Sequence, residues 1–364
     1  MNPAVVAWPS HGGQASALLA RFGLPEHHPL IDFSANLNPL GPPAWVPERL
    51  AELVSGLARY PASDYTAACA AIAHHESISP EQVLLTNGGA EAIFLSAALH
   101  AGGWAGIVQP TFTEYARACR AYGVAIASTA LTGLDFKLEW EALGTTLEEC
   151  DVMFLCRPNN PTATLISRAT IEALLEMARA RDCRLVIDEA FVDFIVEDDE
   201  RLTPLLARFD NLILLRSLTK FYTLPGLRLG YLLANADTVN QARSYQPPWS
   251  VNHLAAELVA PLLSDTGFQS RTFRWLREEH SRMAKALGAC GLEVAPSRAN
   301  FFLVRPEPGG ETCAALFERL LHSGILARHT HNFPGLEGDW LRLALRDRAD
   351  NDRLLEALQN VRDA

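Results

Sequence analysis

Residues 212–230 read LILLRSLTKFYTLPGLRLG. The apolar run at 212 has strand length and is almost unbroken, the pattern of a strand buried on both faces of a parallel sheet. It gives way at once to Ser217, Thr219 and Lys220, with Arg228 eight residues after the lysine and a second run, LGYLLA, beginning at 229. In open α/β sheets the working residues gather at the carboxyl ends of strands. A phosphate takes hydroxyl donors and a bidentate arginine, while an aldehyde cofactor takes a lysine amine that can form an imine. Taken alone, the same segment reads equally well as a surface loop that contains a lysine.

Working outward, four further strand-length runs end in chemistry-bearing residues: VLLT at 83, GIVQP at 106, VMFLC at 152 and RLVIDEA at 184. The stretches between them, such as 167–181 with Ile171, Leu174, Leu175 and Ala178, repeat at helical spacing. Strands alternating with helices predict an α/β sheet covered on both faces. Asp188 ends its apolar strand, where an unpaired carboxylate is costly and calls for a cation; a protonated pyridine nitrogen is such a cation. The competing reading is an acid that caps the next helix, which would suit Glu189. Asn159 and Asn160 lie between two prolines, in a turn rigid enough to hold an amide against a planar ligand. Asn87, Gly88 and Gly89 join a strand to a helix whose exposed amides suit a phosphate, although a simple tight turn has the same composition. Phe112 follows Pro110 at another strand end, where a ring either stacks on a pyridine face or packs in the core.

The 364 residues exceed one ordinary domain and fit a large and a small lobe. Residues 1–47 are rich in proline and glycine and predict an arm of turns and extended segments that packs onto the rest of the molecule. Residues 48–247 form the expected large lobe and 248–364 a smaller α+β lobe, with long amphipathic helices and strands such as NFFLVRP at 300. Lysine and arginine number 31 against 42 acids, so a formal charge of −11 opposes nucleic acid and anionic lipid as partners. The seven cysteines are scattered without a CxxC pair, which argues for a reducing cytoplasm over a disulfide framework. No membrane span or targeting leader is expected. No metal is expected either, because His74 and His75 are adjacent on a helix and cannot face one site together, and His27, His28, His329 and His331 offer little better spacing.

In order along the chain, NGGAE, PTF, PNNPT, IDEAF and SLTKFYTLPGLRLG resemble the successive cofactor motifs of fold-type I pyridoxal-phosphate (PLP) enzymes, close to the histidinol-phosphate aminotransferases. HGGQ at 11, DFSANLNPLG at 32, RYPASDY at 59, RSLTKFY at 216 and PPWSVN at 247 are more specifically similar to the family of L-threonine-O-3-phosphate decarboxylases, which supply aminopropanol phosphate for the cobalamin side chain. The resemblance implies a mostly parallel seven-stranded sheet sandwiched by helices. It implies that Lys220 carries the cofactor, Asp188 pairs with the pyridine nitrogen, Asn160 bonds the ring oxygen and Phe112 stacks on the ring. The backbone at Gly89 and Ala90, with Ser217, Thr219 and Arg228, would hold the cofactor phosphate, and Tyr60 would reach it from the neighbouring subunit of a homodimer. For a phosphorylated amino acid, Arg342 would take the carboxylate, while His11, Asn36 and Arg328 lie near the substrate, with Arg157 a further candidate for its phosphate. Arg328 also reads as a solvated residue after a helix, and His11 as one that merely orders a loop.

Two residues depart from the aminotransferase pattern. Phe191 stands where those enzymes have a tyrosine that hydrogen-bonds the ring oxygen, and Ala163 replaces a glycine, which matters if that position needs positive φ. The leading expectation is decarboxylation of L-threonine O-3-phosphate. The alternatives are an oxoglutarate-dependent aminotransferase of the histidinol-phosphate type and a catalytically silent PLP-binding regulator, the latter disfavoured by the net acidity and the lack of a DNA-binding extension.

Overall fold

The structure is a computed structural model that describes residues 7–359, apart from the side chain of Asp198. Its centre is a seven-stranded sheet formed by β1 (Val83–Asn87), β2 (Trp104–Gln109), β3 (Ala125–Ala130), β4 (Val152–Cys156), β5 (Arg184–Asp188), β6 (Leu212–Ser217) and β7 (Leu229–Leu233). The strands lie in the order β1-β7-β6-β5-β4-β2-β3. Only β7 runs against the rest, pairing antiparallel with both β1 and β6. That reversal matters for function, because it brings Arg228, which precedes β7, to the edge where the other strands end.

Alternation along the strands explains the two helical layers. On β5 and β6, Leu185, Ile187, Leu212 and Leu214 bury themselves in the core on one side, and Val186, Ile213 and Leu215 in the core on the other. Each such burial contributes on the order of 1.5–3 kcal/mol. The helix Arg168–Arg179 buries Ile171, Leu174, Leu175 and Ala178 and starts where the Ser167 hydroxyl accepts from the Thr170 amide. The run AIASTA at β3 escaped the apolar-run reading because it pairs only with β2, at the sheet edge, and most of its residues stay half-buried or exposed.

A second sheet, wholly antiparallel, joins β8 (Leu292–Val294), β9 (Phe301–Pro306), β10 (Arg328–His329) and β11 (Leu341–Ala344) in the order β10-β11-β9-β8. The long helix Thr266–Ala289 packs against β8. The N-terminal segment is not purely turns and extended chain as expected: a helix spans Ala15–Arg21, burying Leu18 and Leu19, despite the surrounding prolines. Further on, Ile31 and Asp32 pair in parallel with Ile325 and Leu326, and Asn38 donates to Thr272 Oγ1 at 2.8 Å. The Asn38 backbone amide also donates to the Lys220 carbonyl at 3.2 Å, which brings the segment to the end of β6.

Candidate active site

Five segments that follow strand ends, and one that precedes the reversed strand, converge on a pocket of about 480 Å³. Lys220 lies in the short helix Leu218–Phe221 directly after β6 and lines the same cavity as Asp188 from β5, whose charge acts on its amine. Burial, reinforced by the positive charges of Arg342 and Arg228, brings the Lys220 amine down to about 8, so a neutral, nucleophilic fraction exists near physiological pH. Asp188 is 6% exposed; burial pushes its carboxyl up to about 6. Its Oδ2 accepts from the Tyr115 hydroxyl at 2.8 Å and its Oδ1 from the Ala190 amide at 3.0 Å, and no ion pair with a cation forms among the described residues.

Beside these groups lies a cradle for an anion. The helix Gly88–Ala98 starts at Gly88, whose φ of +77° only glycine adopts without strain, and a Cβ there would lie 2.6 Å from Arg228 Nη2. A Cβ on Gly230 would fall 2.7 Å from the Gly89 nitrogen. The Ser217 and Thr219 hydroxyls share a hydrogen bond of 2.8 Å, and Ser217 Cβ sits 3.8 Å from where a Gly89 side chain would begin. Gly89, Ala90, Ser217, Thr219 and Arg228 therefore gather at one corner. Phe112, Asn160 and Phe191 line the adjoining wall.

The opposite end of the pocket is assembled from distant parts of the chain. Arg328 on β10 and Arg342 on β11 are direct cross-strand partners, both buried and both lining the cavity. Like charges placed opposite one another repel, and an anion between them relieves that cost. Burial brings the Arg342 guanidinium down to about 9, with the charge of Arg328 adding to the effect, and burial alone brings Arg328 to about 10. Arg342 donates to Asn160 Oδ1 and to the Ser34 carbonyl, the latter at 2.7 Å, while its Nε has no partner. Arg328 donates to the Ser10 carbonyl at 2.8 Å and to Asn332 Oδ1 at 2.7 Å. Both amide atoms of buried Asn36 lack partners beside the cavity. His11 meets Glu114 at 3.2 Å.

Three expectations change. Arg157 does not face the pocket: it is fully buried on the other side of the strand ends, paired with Glu189 at 3.0 Å and with Glu200. Period-two alternation is the reason, since Cys156 takes the pocket side of β4 and the next residue turns away. Glu189 does not cap a helix but binds Arg157 and Arg216, the latter also at 3.0 Å. Arg328 is 3% exposed, which removes the solvated-residue reading. Ala163 does take positive φ, at +62°, so an L-residue holds the left-handed position. Tyr60 does not reach this pocket within the chain; it is 81% exposed and packs against Trp249 with ring centroids 4.8 Å apart. Sequence reasoning missed Tyr115, Glu114 and Arg117, which follow Phe112 in TFTEYAR; a polar residue one helical turn beyond a strand-end aromatic was the available signal.

An aldehyde-bearing, phosphorylated pyridine fits these residues: an amine of lowered basicity, a buried carboxylate lacking a cation, and a glycine cradle flanked by hydroxyls and an arginine. Fold and site together define a PLP-dependent enzyme of the fold-type I class. The chain belongs to the aminotransferase class I and II family, whose model matches residues 28–358. It is 39% identical over 358 residues to the threonine-phosphate decarboxylase of Salmonella typhimurium, covering 97% of this chain and 96% of that one. Among solved structures it resembles the histidinol-phosphate aminotransferase from Clostridium acetobutylicum, with a TM-score of 0.87, 28% identity and coverage of 92% and 99% of the two chains. The L-threonine-O-3-phosphate decarboxylase from Porphyromonas gingivalis matches with a TM-score of 0.80, 28% identity and coverage of 91% and 99%.

Proposed function

We propose that the chain decarboxylates L-threonine O-3-phosphate to (R)-1-amino-2-propanol O-2-phosphate and CO2, supplying the aminopropanol phosphate of the cobalamin side chain. The observation that carries this reading is the pair of buried, cross-strand arginines at the far end of the pocket. Two anionic groups on one small substrate, a carboxylate and a phosphate, suit two guanidiniums that otherwise repel. In this reading Lys220 would hold the cofactor, with Asp188 serving its ring nitrogen, Asn160 its ring oxygen and Phe112 its ring face. Gly89, Ala90, Ser217, Thr219 and Arg228 bind its phosphate. The bound cofactor supplies an electron sink that stabilises negative charge developing at the substrate's α-carbon. Arg342 would orient the substrate carboxylate for loss, His11 and Arg328 would fix its phosphate with Asn36 beside it, and the Lys220 amine would return a proton to the α-carbon. Phe191 brings no hydroxyl to the cavity, in keeping with a reaction other than transamination.

The second copy of a homodimer accounts for the exposed apolar side chains of Tyr60, Trp249, Leu57 and Val54, with Tyr60 reaching the neighbouring site. The division into an arm (1–47), a large lobe (48–247) and a small lobe (248–364) belongs to the same reading. A reducing cytoplasm suits the seven free cysteines, and no described helix is long and apolar enough to cross a membrane.

The decisive experiment incubates PLP-loaded protein with L-threonine O-3-phosphate and no oxoacid, and follows CO2 and aminopropanol phosphate. Catalytic release of both, lost in Lys220→Ala, establishes the reading. Amino transfer that appears only with 2-oxoglutarate, without CO2, replaces it with an aminotransferase of the histidinol-phosphate type.

A further inference from the structure

Asp188 receives only one hydrogen bond from a side chain among the described residues, and its source is Tyr115. Tyr115 is wholly buried in the helix Glu114–Ala121, stacked on Phe154 with centroids 5.6 Å apart at 16°. Its ring also meets the edge of Phe112 at 5.9 Å and 81°. These two ring contacts flank the phenol whose hydroxyl meets the carboxylate. One side chain thus touches both Phe112 and Asp188.

We propose that Tyr115 is a positioning residue which, through its hydroxyl, keeps Asp188 ionised and oriented toward the cofactor's ring nitrogen. This rests on the assignment of Asp188 to that nitrogen. The physical need is plain. Burial drives Asp188 toward its neutral form, and the Tyr115 hydroxyl is the largest influence opposing it, ahead of the Ala190 amide and of Lys220; Glu189, behind the strand, pushes the other way. A neutral Asp188 cannot neutralise a protonated pyridine. Burial and the Asp188 charge both hold the Tyr115 phenol well above its ordinary value, so it stays a donor at every working pH. The Cys156 thiol, whose strand residue pairs with Asp188 across β4 and β5, is likewise held protonated by burial.

The test compares wild type, Tyr115→Phe and Asp188→Asn by PLP dissociation constant, absorbance of the bound cofactor between pH 6 and 9, and steady-state kinetics. Phenylalanine keeps the stacking on Phe154 and the edge contact with Phe112, so it removes the hydroxyl alone. The expected result for Tyr115→Phe is PLP bound ~10-fold more weakly, the size of one lost hydrogen bond to a charged group. Its bound-cofactor absorbance should titrate within the tested range, and kcat should fall with KM for the amino-acid substrate unchanged. Tyr115→His, which keeps a ring and a donor, should recover part of the affinity. Tyr115→Phe with wild-type PLP affinity and absorbance, while Asp188→Asn is impaired, overturns the proposal and leaves the Asp188 assignment standing. An unimpaired Asp188→Asn overturns that assignment instead.

Discussion

Asp188 and Glu189 are adjacent acids at the end of β5, both buried, yet they face opposite sides of the sheet and have opposite partners. Glu189 meets two guanidiniums, Arg157 and Arg216, in a network that continues to Glu76, which also accepts from Tyr231 at 2.8 Å and Thr203 at 2.7 Å. Asp188 meets only neutral donors and lines a cavity. The same alternation separates Cys156 from Arg157 and Ser217 from Arg216. A buried charge with its counter-charges in place is architecture, and removing one partner leaves the other stranded. A buried charge without a counter-charge is a site awaiting one from a ligand.

The most severe test of the pocket side is Lys220→Ala, expected to abolish turnover while the protein keeps its fold, since the alanine removes a partly desolvated amine. Residual activity above a thousandth of wild type, measured by CO2 release, would contradict the role of that amine. Next, Asp188→Asn should weaken PLP binding ~100-fold with little change in thermal stability, because an amide is cheaper to bury than a carboxylate. A large drop in melting temperature with unchanged PLP affinity would invert the comparison. On the other face, Glu189→Gln should cost about 3 kcal/mol in a denaturant titration, as expected for a broken buried pair, and alter PLP affinity by less than a few-fold. Arg342→Lys should lower kcat/KM for the phosphorylated amino acid by ~10-fold or more, since an ammonium cannot reproduce a bidentate fork; PLP binding should be spared. The smallest effect is on pH. In cofactor-free protein the Lys220 amine should react with an aldehyde along a curve with its midpoint near 8. The sign follows from its lowered basicity: reactivity rises as pH passes upward through 8 and is already at its plateau near the usual lysine value of about 10.5.

Much of this arrangement was legible in the sequence. The unbroken apolar runs at 83, 152, 184, 212 and 229 announced strands because a strand covered on both faces has no polar side to show. Strand β3 was not legible, because an edge strand of small residues such as AIASTA carries no comparable signal. The acids and amines that end strands were also readable, because a charge at the end of an apolar run must meet something. Which of two neighbouring acids meets a ligand was not, and neither was the side that Arg157 takes, since adjacent strand residues differ only in the face they occupy. The helix Ala15–Arg21 was hidden among prolines that punctuate its flanks and leave its interior alone.

The class of sheet, the order of the cofactor motifs and the lysine that anchors them were readable from the chain alone, because each strand run and each motif is a short, contiguous stretch. Tertiary structure alone decided the substrate end of the pocket. His11, Asn36, Arg328 and Arg342 lie hundreds of residues apart at the extremes of the set, and only the parallel pairing of Ile31 and Asp32 with Ile325 and Leu326 and the register of β10 on β11 bring them together. Local patterns record which face of an element is buried; they do not record which distant element covers it.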